Sequence, residues 1–567
     1  MHEGKKVLTR YEGRDEFSSN GTRIGKCSVI VIILVCIILI AAMMHYYPEI
    51  FKKSLKRQKR DVIGIIRIEG YILDHKTVNE YVALINEGLR NDSIKGVVLL
   101  VDSGGGYADY IEEIYTDLLK FKDSNVSKPL IASVIRALSG GYYITVACDY
   151  IYVLNSSFVG NVGAIGLVPP ILIPSERVIE SGPHKLTGEP ILSGYFTLNR
   201  VVDNFVSAIE MGRGSRLRIS SAELRKASIY LGCEAVKLGL ADAIGGLQDA
   251  IDKAAKEANV TEYAIEELRI PRKEESLQPS SEEGFMNQEN ITLETLIKLH
   301  PPPAFYYIYL PSYVISKSNV SEQIVPFGNI SLPSGRAEVL IDLSHGNMIS
   351  WWVLDTLISE LAERDVTVSF ISQAEALEKK LGNASCLIVA SPTKMYSDIE
   401  CETIEAFVKE GGLLLLFFDP AWEYIGTSGL LQGVITPINS LSTRFGISFA
   451  KGYLYNDEEY FGIYRNVYIK RFRMNPITKN LNSIVFFTAT HIRSRWKEIA
   501  WTSDDTYSSV AEKAGRYAVM AWVDEGNGTV IAFGDLTFLQ EPYCYVEDNY
   551  KIIENVASII AEKVKSS

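Results

Sequence analysis

The sequence predicts an α/β protein: two successive α/β units behind one apolar segment. Three observations predict it. Short apolar runs alternate with helically spaced stretches from Val62 to about Asn259, the alternation breaks between Arg269 and Arg336, and it resumes at Ala337. Short apolar strands separated by helices are the pattern of parallel βαβ units with both sheet faces covered. The 567 residues suit several domains of roughly 150 residues each. With 47% hydrophobic and 22% charged residues, the chain can bury real cores, which excludes general disorder.

The apolar segment comes first. Cys27 to Met44 carries no charge, and Tyr46 and Tyr47 follow it as interfacial aromatics. About 20 apolar residues cross a bilayer as a helix. A transmembrane helix is expected over 27–47, between a basic segment at 1–26 and a basic juxtamembrane segment at 48–61. A cleavable signal peptide is the alternative, but its apolar core usually runs only ~7–15 residues. The chain is therefore expected in the cell membrane, single-pass and in contact with lipid. Basic residues flank both sides, and their local density favours a cytoplasmic C-terminal side. Sequons at Asn125, Asn155, Asn259, Asn319 and Asn527 would fit an exterior face instead.

In the first α/β unit (62–260), Val62–Leu73, Gly96–Val101 and Pro129–Val134 read as strands. Val78–Leu89 and Ile111–Phe121 read as helices. The stretch 261–336 holds a Glu/Ser cluster, three prolines and Tyr306, Tyr307 and Tyr309, and is expected to be a linker with some ordered packing. In the second unit (337–567), Val339–Leu343, Val366–Ile371, Cys386–Ala390 and Leu413–Phe418 are expected strands. Val353–Leu361 and Ile399–Val408 are the helices between them.

Charge and cysteines exclude several functions. The net charge is −12, yet residues 1–60 hold 12 Lys and Arg against 5 Asp and Glu. The remainder is strongly acidic, so no nucleic acid is expected as a partner. Seven cysteines without a CxxC pair exclude a disulfide scaffold and local zinc ligation, and no metal or cofactor is expected.

Three spots in the first unit could carry chemistry. Asp102-Ser103-Gly104-Gly105-Gly106 follows a strand, where glycines let backbone N–H groups approach a ligand, or simply make a tight turn. Ser139-Gly140-Gly141-Tyr142-Tyr143 places a serine between a strand and a helix, as a nucleophile or as a plain helix N-cap. Ser181-Gly182-Pro183-His184-Lys185 offers a lysine that is either solvated or a base. His184 could complete a Ser-His-Asp triad, but no carboxylate is placed nearby to orient it.

In this order the motifs resemble the signal peptide peptidase A (SppA) family, membrane-anchored serine peptidases of the ClpP/crotonase fold. Ser103-Gly104-Gly105-Gly106 looks like the family's Ser-Pro-Gly-Gly turn with glycine for proline. Ser139 to Tyr143 matches the stretch around the family's nucleophile. Ala147-Cys148-Asp149, Gly160 to Gly166 and Gly232 to Gly246 are similar to further family segments, and Lys185 follows the Ser-Gly-x-x pattern of the catalytic lysine. The resemblance implies Ser139 as nucleophile, Lys185 as base, and backbone N–H groups of Gly140 and Gly106, with Gly105, around the oxyanion. It also implies a homo-oligomer, apolar peptide substrates such as spent signal peptides, and a catalytic domain outside the cytoplasm. A lysine at its ordinary pKa of ~10.4 is neutral in only about one molecule in two thousand at pH 7, so this reading expects Lys185 in a dry cleft without a carboxylate partner.

The second unit resembles a flavodoxin- or glutamine-amidotransferase-like fold through Leu340 to Asn347, Gly411 to Pro420, Phe533-Gly534-Asp535 and Asp548-Asn549. Asp419 stands where an amidotransferase would need its cysteine, so a non-catalytic domain is expected. Cys386 is read as a buried structural thiol, and His345 as a satisfied turn histidine rather than a ligand. The alternatives are an NfeD-linked type of membrane serine peptidase, an acyl-CoA enzyme of the crotonase fold, and a catalytically inactive membrane scaffold or sensor working through the second unit.

Overall fold

The computed structural model describes residues 60–122, 128–168, 181–182, 184–190, 192–269, 291–310, 338–347, 351–372, 377–420 and 436–566, with Val35 and Ile349 besides. Met1–Asp61 and Val62–Ser567 form separate units. The expected membrane helix lies, but for Val35, outside the described residues. Among the described residues no helix is long and apolar enough to cross a membrane.

The first half is built on a nine-stranded sheet. Strand β1 (Asp61–Ile72) pairs in parallel with β2 (Ile94–Tyr107), β2 with β3 (Leu130–Leu138), and β3 with β4 (Tyr150–Gly160). Helices α1 (His75–Arg90) and α2 (Ala108–Leu119) make the first crossovers, and the short α3 (Gly140–Thr145) leaves the end of β3. Asp74 caps α1 by accepting the Thr77 N–H at 2.9 Å. The central strands are buried on both faces: Val97, Val98, Leu99 and Val101 have no exposed surface. That explains why they read as unbroken apolar runs rather than alternating ones. Helix α4 (Ser193–Arg213) crosses beside α3, and Leu247–Glu257 lays Ala250, Ile251 and Ala254 on the other face.

Two expectations are corrected. The glycine run 103–106 is not a turn but the continuation of β2, which stays extended to Tyr107. Parallel pairing holds it there, with Gly105 opposite Tyr71 and Gly106 opposite Ile72. The linker expected at 261–336 contributes strands to the first sheet. Tyr263–Glu267 pairs with β1, and Ala304–Ile308, named β6 after β5 (Ile165–Leu167), inserts antiparallel between β2 and β5. Leu293–Leu299 packs with it, so the first unit reaches past residue 300.

The second half holds an eight-stranded sheet. Strands Val339–Asp342, Val368–Ile371, Cys386–Ala390, Leu413–Phe417 and Gly528–Phe533 pair in parallel. Taken in chain order their spatial order is 2-1-3-4-5, the doubly wound arrangement of flavodoxin-like sheets. The sheet continues antiparallel through Ala518–Glu525, Glu498–Trp501 and Arg471–Phe472. Strand boundaries agree with the sequence reading within a residue or two. Cys386 is fully buried, and burial raises its thiol pKa, as a structural cysteine requires. The two halves touch where Tyr195 of α4 packs on the second core and Lys226 pairs with Asp457 at 3.4 Å.

Candidate active site

Ser139 sits at the junction of β3 and α3 with φ 51° and ψ −121°. A helix N-cap normally has an extended backbone and a side chain that accepts a helix N–H. Ser139 has neither, and its hydroxyl makes no cap bond. The plain N-cap reading is thereby set aside. A non-glycine residue in this region costs about 1–3 kcal/mol and persists only when its surroundings over-determine it. Here they do. The Ser139 N–H donates to Gly160 O at 2.8 Å, and its carbonyl accepts from Tyr142 and Tyr143 N–H at 2.9 and 3.0 Å.

The glycines around it allow close approach. A methyl on Gly140 would lie 2.7 Å from both Ile111 Cγ1 and Tyr307 O, and one on Gly141 would lie 2.5 Å from Ser103 O. One on Gly105, whose φ is +95°, would lie 2.6 Å from Gly140 N. The structure thus brings Ser139, Gly140 and Gly105 together, with Gly106 following on β2. Their roles differ in detail. The Gly105 N–H donates to Ser103 Oγ at 3.1 Å, and that hydroxyl donates to Gly70 O at 2.7 Å. Gly105 therefore offers room rather than a free donor, while Gly140 N–H heads α3 beside the nucleophile.

Behind α3 the scaffold is stiff. Tyr142 donates its hydroxyl to Leu240 O at 2.8 Å. Arg213, fully buried, holds Asp242 through two bonds at 2.8 and 2.9 Å and donates to Gly239 O at 2.8 Å. Against the cost of burial, these Arg213 bonds hold the Asp242 carboxyl below its usual range.

Lys185 is placed differently from the expectation. It lies exposed in a turn closed by Gly188 N–H donating to His184 O at 2.7 Å. Among the described residues no hydrogen bond links it to Ser139. Among the described residues of the first half, the lysine whose pKa burial lowers is Lys128, and its ammonium is spent on the carbonyls of Gly88, Leu89 and Asn91 at the end of α1.

No protein-family model matches the sequence. Among curated proteins the chain is 24% identical over 256 residues to Protease 4 of Haemophilus influenzae, covering 41% of this chain and 39% of that protein. It is 28% identical over 203 residues to a putative signal peptide peptidase SppA of Enterococcus faecium, covering 32% of this chain and 56% of that one. The chain is thus similar, over about a third to two fifths of its length, to these two proteases. It spans about half the length, or less, of these two curated relatives. A solved membrane-bound stomatin-specific protease is 16% identical, covering 37% of this chain and 99% of its own, with a TM-score of 0.27.

Sequence reasoning missed three parts of this SppA-like region and its neighbour. The backbone of Ser139 left no signal in residue type. Strand β6 was hidden by its proline-rich approach, although the three tyrosines marked it as packed. In the second half, Asp342, His345, Tyr396 and Glu400 form a polar cluster that only the fold assembles. His345 Nδ1 is 2.8 Å from Asp342 Oδ2, its Nε2 is 3.3 Å from Glu400 Oε1, and its ring stacks on Tyr396 at 3.7 Å. It is a satisfied turn histidine, as expected.

Proposed function

We propose that this chain is a membrane-anchored serine endopeptidase that cuts apolar peptides, such as spent signal peptides, at the membrane. The observation that carries it is the buried Ser139 at φ 51° between a strand and a helix, which is how a fold presents a nucleophile under strain. Ser139 attacks the peptide carbonyl, and Gly140 N–H, with Gly106 across the groove, supports the oxyanion. Lys185 takes the serine proton, passes it to the leaving amine and then activates water.

Lys185 must first lose its water. Bringing its pKa to ~7–8 requires roughly 3–5 kcal/mol of destabilisation of the charged form. An exposed turn in one chain does not supply this. A second copy closing over the turn would, so the active form is proposed as a homo-oligomer. Separate Ser139→Ala and Lys185→Ala proteins test the dyad. Peptidase activity retained by either variant would remove that residue from the mechanism.

A second reading is a catalytically silent scaffold. It is favoured by one observation: Ser139 is 1% exposed, with the chain's own strand β6 paired along the glycine end of β2 beside it. Fluorophosphonate labelling of the wild type that is lost in Ser139→Ala would dismiss it.

A further inference from the structure

Strand β6 occupies the place where a peptide would have to lie. It runs antiparallel to the glycine end of β2, with Gly105 opposite Ile308, Gly106 opposite Tyr307 and Tyr107 opposite Tyr306. Its other edge pairs with β5, with Ile165 opposite Tyr306 and Leu167 opposite Ala304. Beyond it, Tyr309 N–H donates to Gly104 O at 2.8 Å. An extended peptide bound between two strands gains main-chain hydrogen bonds whatever its sequence, and alternate side chains choose the pockets.

The register places one carbonyl beside the residue that follows the nucleophile. A methyl on Gly105 would fall 1.9 Å from Tyr307 O and 2.6 Å from Gly140 N. A methyl on Gly140 would likewise fall 2.7 Å from Tyr307 O, so this carbonyl lies beside Gly140, the residue that follows Ser139. The Tyr307 side chain enters a fully buried pocket against Tyr143 and Phe205, with ring centroids at 5.0 and 5.3 Å. At the pocket floor its hydroxyl lies 2.8 Å from Glu112 Oε1 and 2.8 Å from Val201 O.

We propose that β6 lies in the peptide groove as the chain's own substrate mimic, with Tyr307 in the pocket that reads the residue before the cut bond. It follows that the enzyme prefers tyrosine there and acts only when β6 is displaced. The proposal rests on Ser139 being the nucleophile. Two features support it beyond sheet pairing. The strand lies against Gly140 next to a serine that is 1% exposed and that any peptidase must expose, and the pocket floor is polar. Phenylalanine would leave the Glu112 carboxylate without the Tyr307 hydroxyl that it accepts from at 2.8 Å, and sites that hydrogen-bond a substrate hydroxyl reject the analogue lacking it.

The test uses the full chain. In a Ser139→Ala/Tyr307→Gly protein, binding of fluorescent pentapeptides copied from Ala304–Ile308 is followed by anisotropy, with Tyr, Phe or Leu at the Tyr307 position. Tyrosine is expected to bind about tenfold or more tighter than phenylalanine, and adding Glu112→Ala is expected to level the two. With Ser139 intact, Tyr307→Gly should raise the rate of fluorophosphonate labelling about tenfold over wild type, because the competent state no longer competes with β6. Tyr307→Phe, which keeps the ring, should move labelling in the same direction by less, and serves if the glycine variant does not fold. Equal binding of the three peptides, or measurable wild-type labelling that neither variant raises, overturns the proposal. Tyrosine-selective binding without labelling in any variant keeps the groove and instead removes Ser139 as nucleophile.

Discussion

The strain at Ser139 has a measurable sign. Replacing it with alanine removes the hydroxyl but leaves a Cβ at φ 51°, ψ −121°, whereas glycine removes both. An L-residue in such a conformation costs about 1–3 kcal/mol. Glycine gives back about 0.5–1 kcal/mol through its larger unfolded-state entropy. Ser139→Gly should therefore be more stable than Ser139→Ala by about 1 kcal/mol, although both lack the nucleophile. Ala137, two residues earlier within β3, sets the control: glycine there should destabilise, because no positive φ favours it. Urea unfolding of the variants side by side reads the difference. With a slope of about 1–3 kcal/mol per molar, the midpoints should separate by roughly 0.3–1 M. An alanine variant as stable as the glycine one would show that the junction is unstrained, and the main support for a nucleophile would be gone.

Three further outcomes are expected. Arg213→Met leaves Asp242 buried without its main partner and should cost about 3–5 kcal/mol, much of it recovered by adding Asp242→Leu; urea midpoints measure both. Burial pulls the His345 pKa down, but the hydrogen bond and charge of Asp342 and then Glu400 outweigh it, and the pKa is raised. Its stabilisation is thus complete below about pH 6.5 and fades as pH rises through the raised value. His345→Gln should flatten that alkaline slope in urea midpoints taken across pH, and an unchanged slope would refute the assignment. Gly105→Ala puts a methyl 1.9 Å from Tyr307 O at φ +95°, so β6 should leave its slot, seen as faster amide exchange at Phe305–Ile308; unchanged protection there would contradict the close approach.

Much of the fold was legible because its signal is local. Buried parallel strands such as Val97–Val101 and Leu413–Phe417 must be apolar on both faces, and helix ends carry their caps in sequence, as Ser397 and Glu400 do. The candidate nucleophile was legible only as a motif. What marks it physically, a backbone angle and an unspent hydroxyl, depends on Gly160 and on the glycines of β2, which lie elsewhere in the chain. The glycine run after Ser103 misled for a related reason. Glycines in a tight turn and glycines in an extended strand look alike in sequence, and only the pairing with Tyr71 and Ile72 decides between them. Strand β6 was illegible because its partner β2 lies some 200 residues before it, and no local periodicity encodes that pairing.

The two sheets also finish their carboxyl ends differently, and this divides the chemistry. In doubly wound sheets ligands enter the crevice beyond the strand ends, where the order reverses. In the second half that place is filled from within. Asp342 accepts from Ser344 N–H and Oγ–H and from the Tyr396 hydroxyl, and Asn347 donates to Ala390 O at 2.9 Å across the reversal. Two strands further on, Asp535 accepts from Phe487 and Thr537 N–H at 2.8 and 2.9 Å, while the Thr537 hydroxyl donates to Asp419 at 2.7 Å. Burial, and then the Asp419 charge, push the Asp535 pKa well up. A ligand entering there would have to break bonds that already satisfy these groups, each worth about 1–3 kcal/mol when buried. In the first half the polar group at the strand end, the Ser139 hydroxyl, is the one left without a cap bond, and the strand paired beside it on β2 is β6, the one proposed to give way to a peptide. The first sheet end is finished by backbone, which a substrate can replace, and the second by side chains, which it cannot.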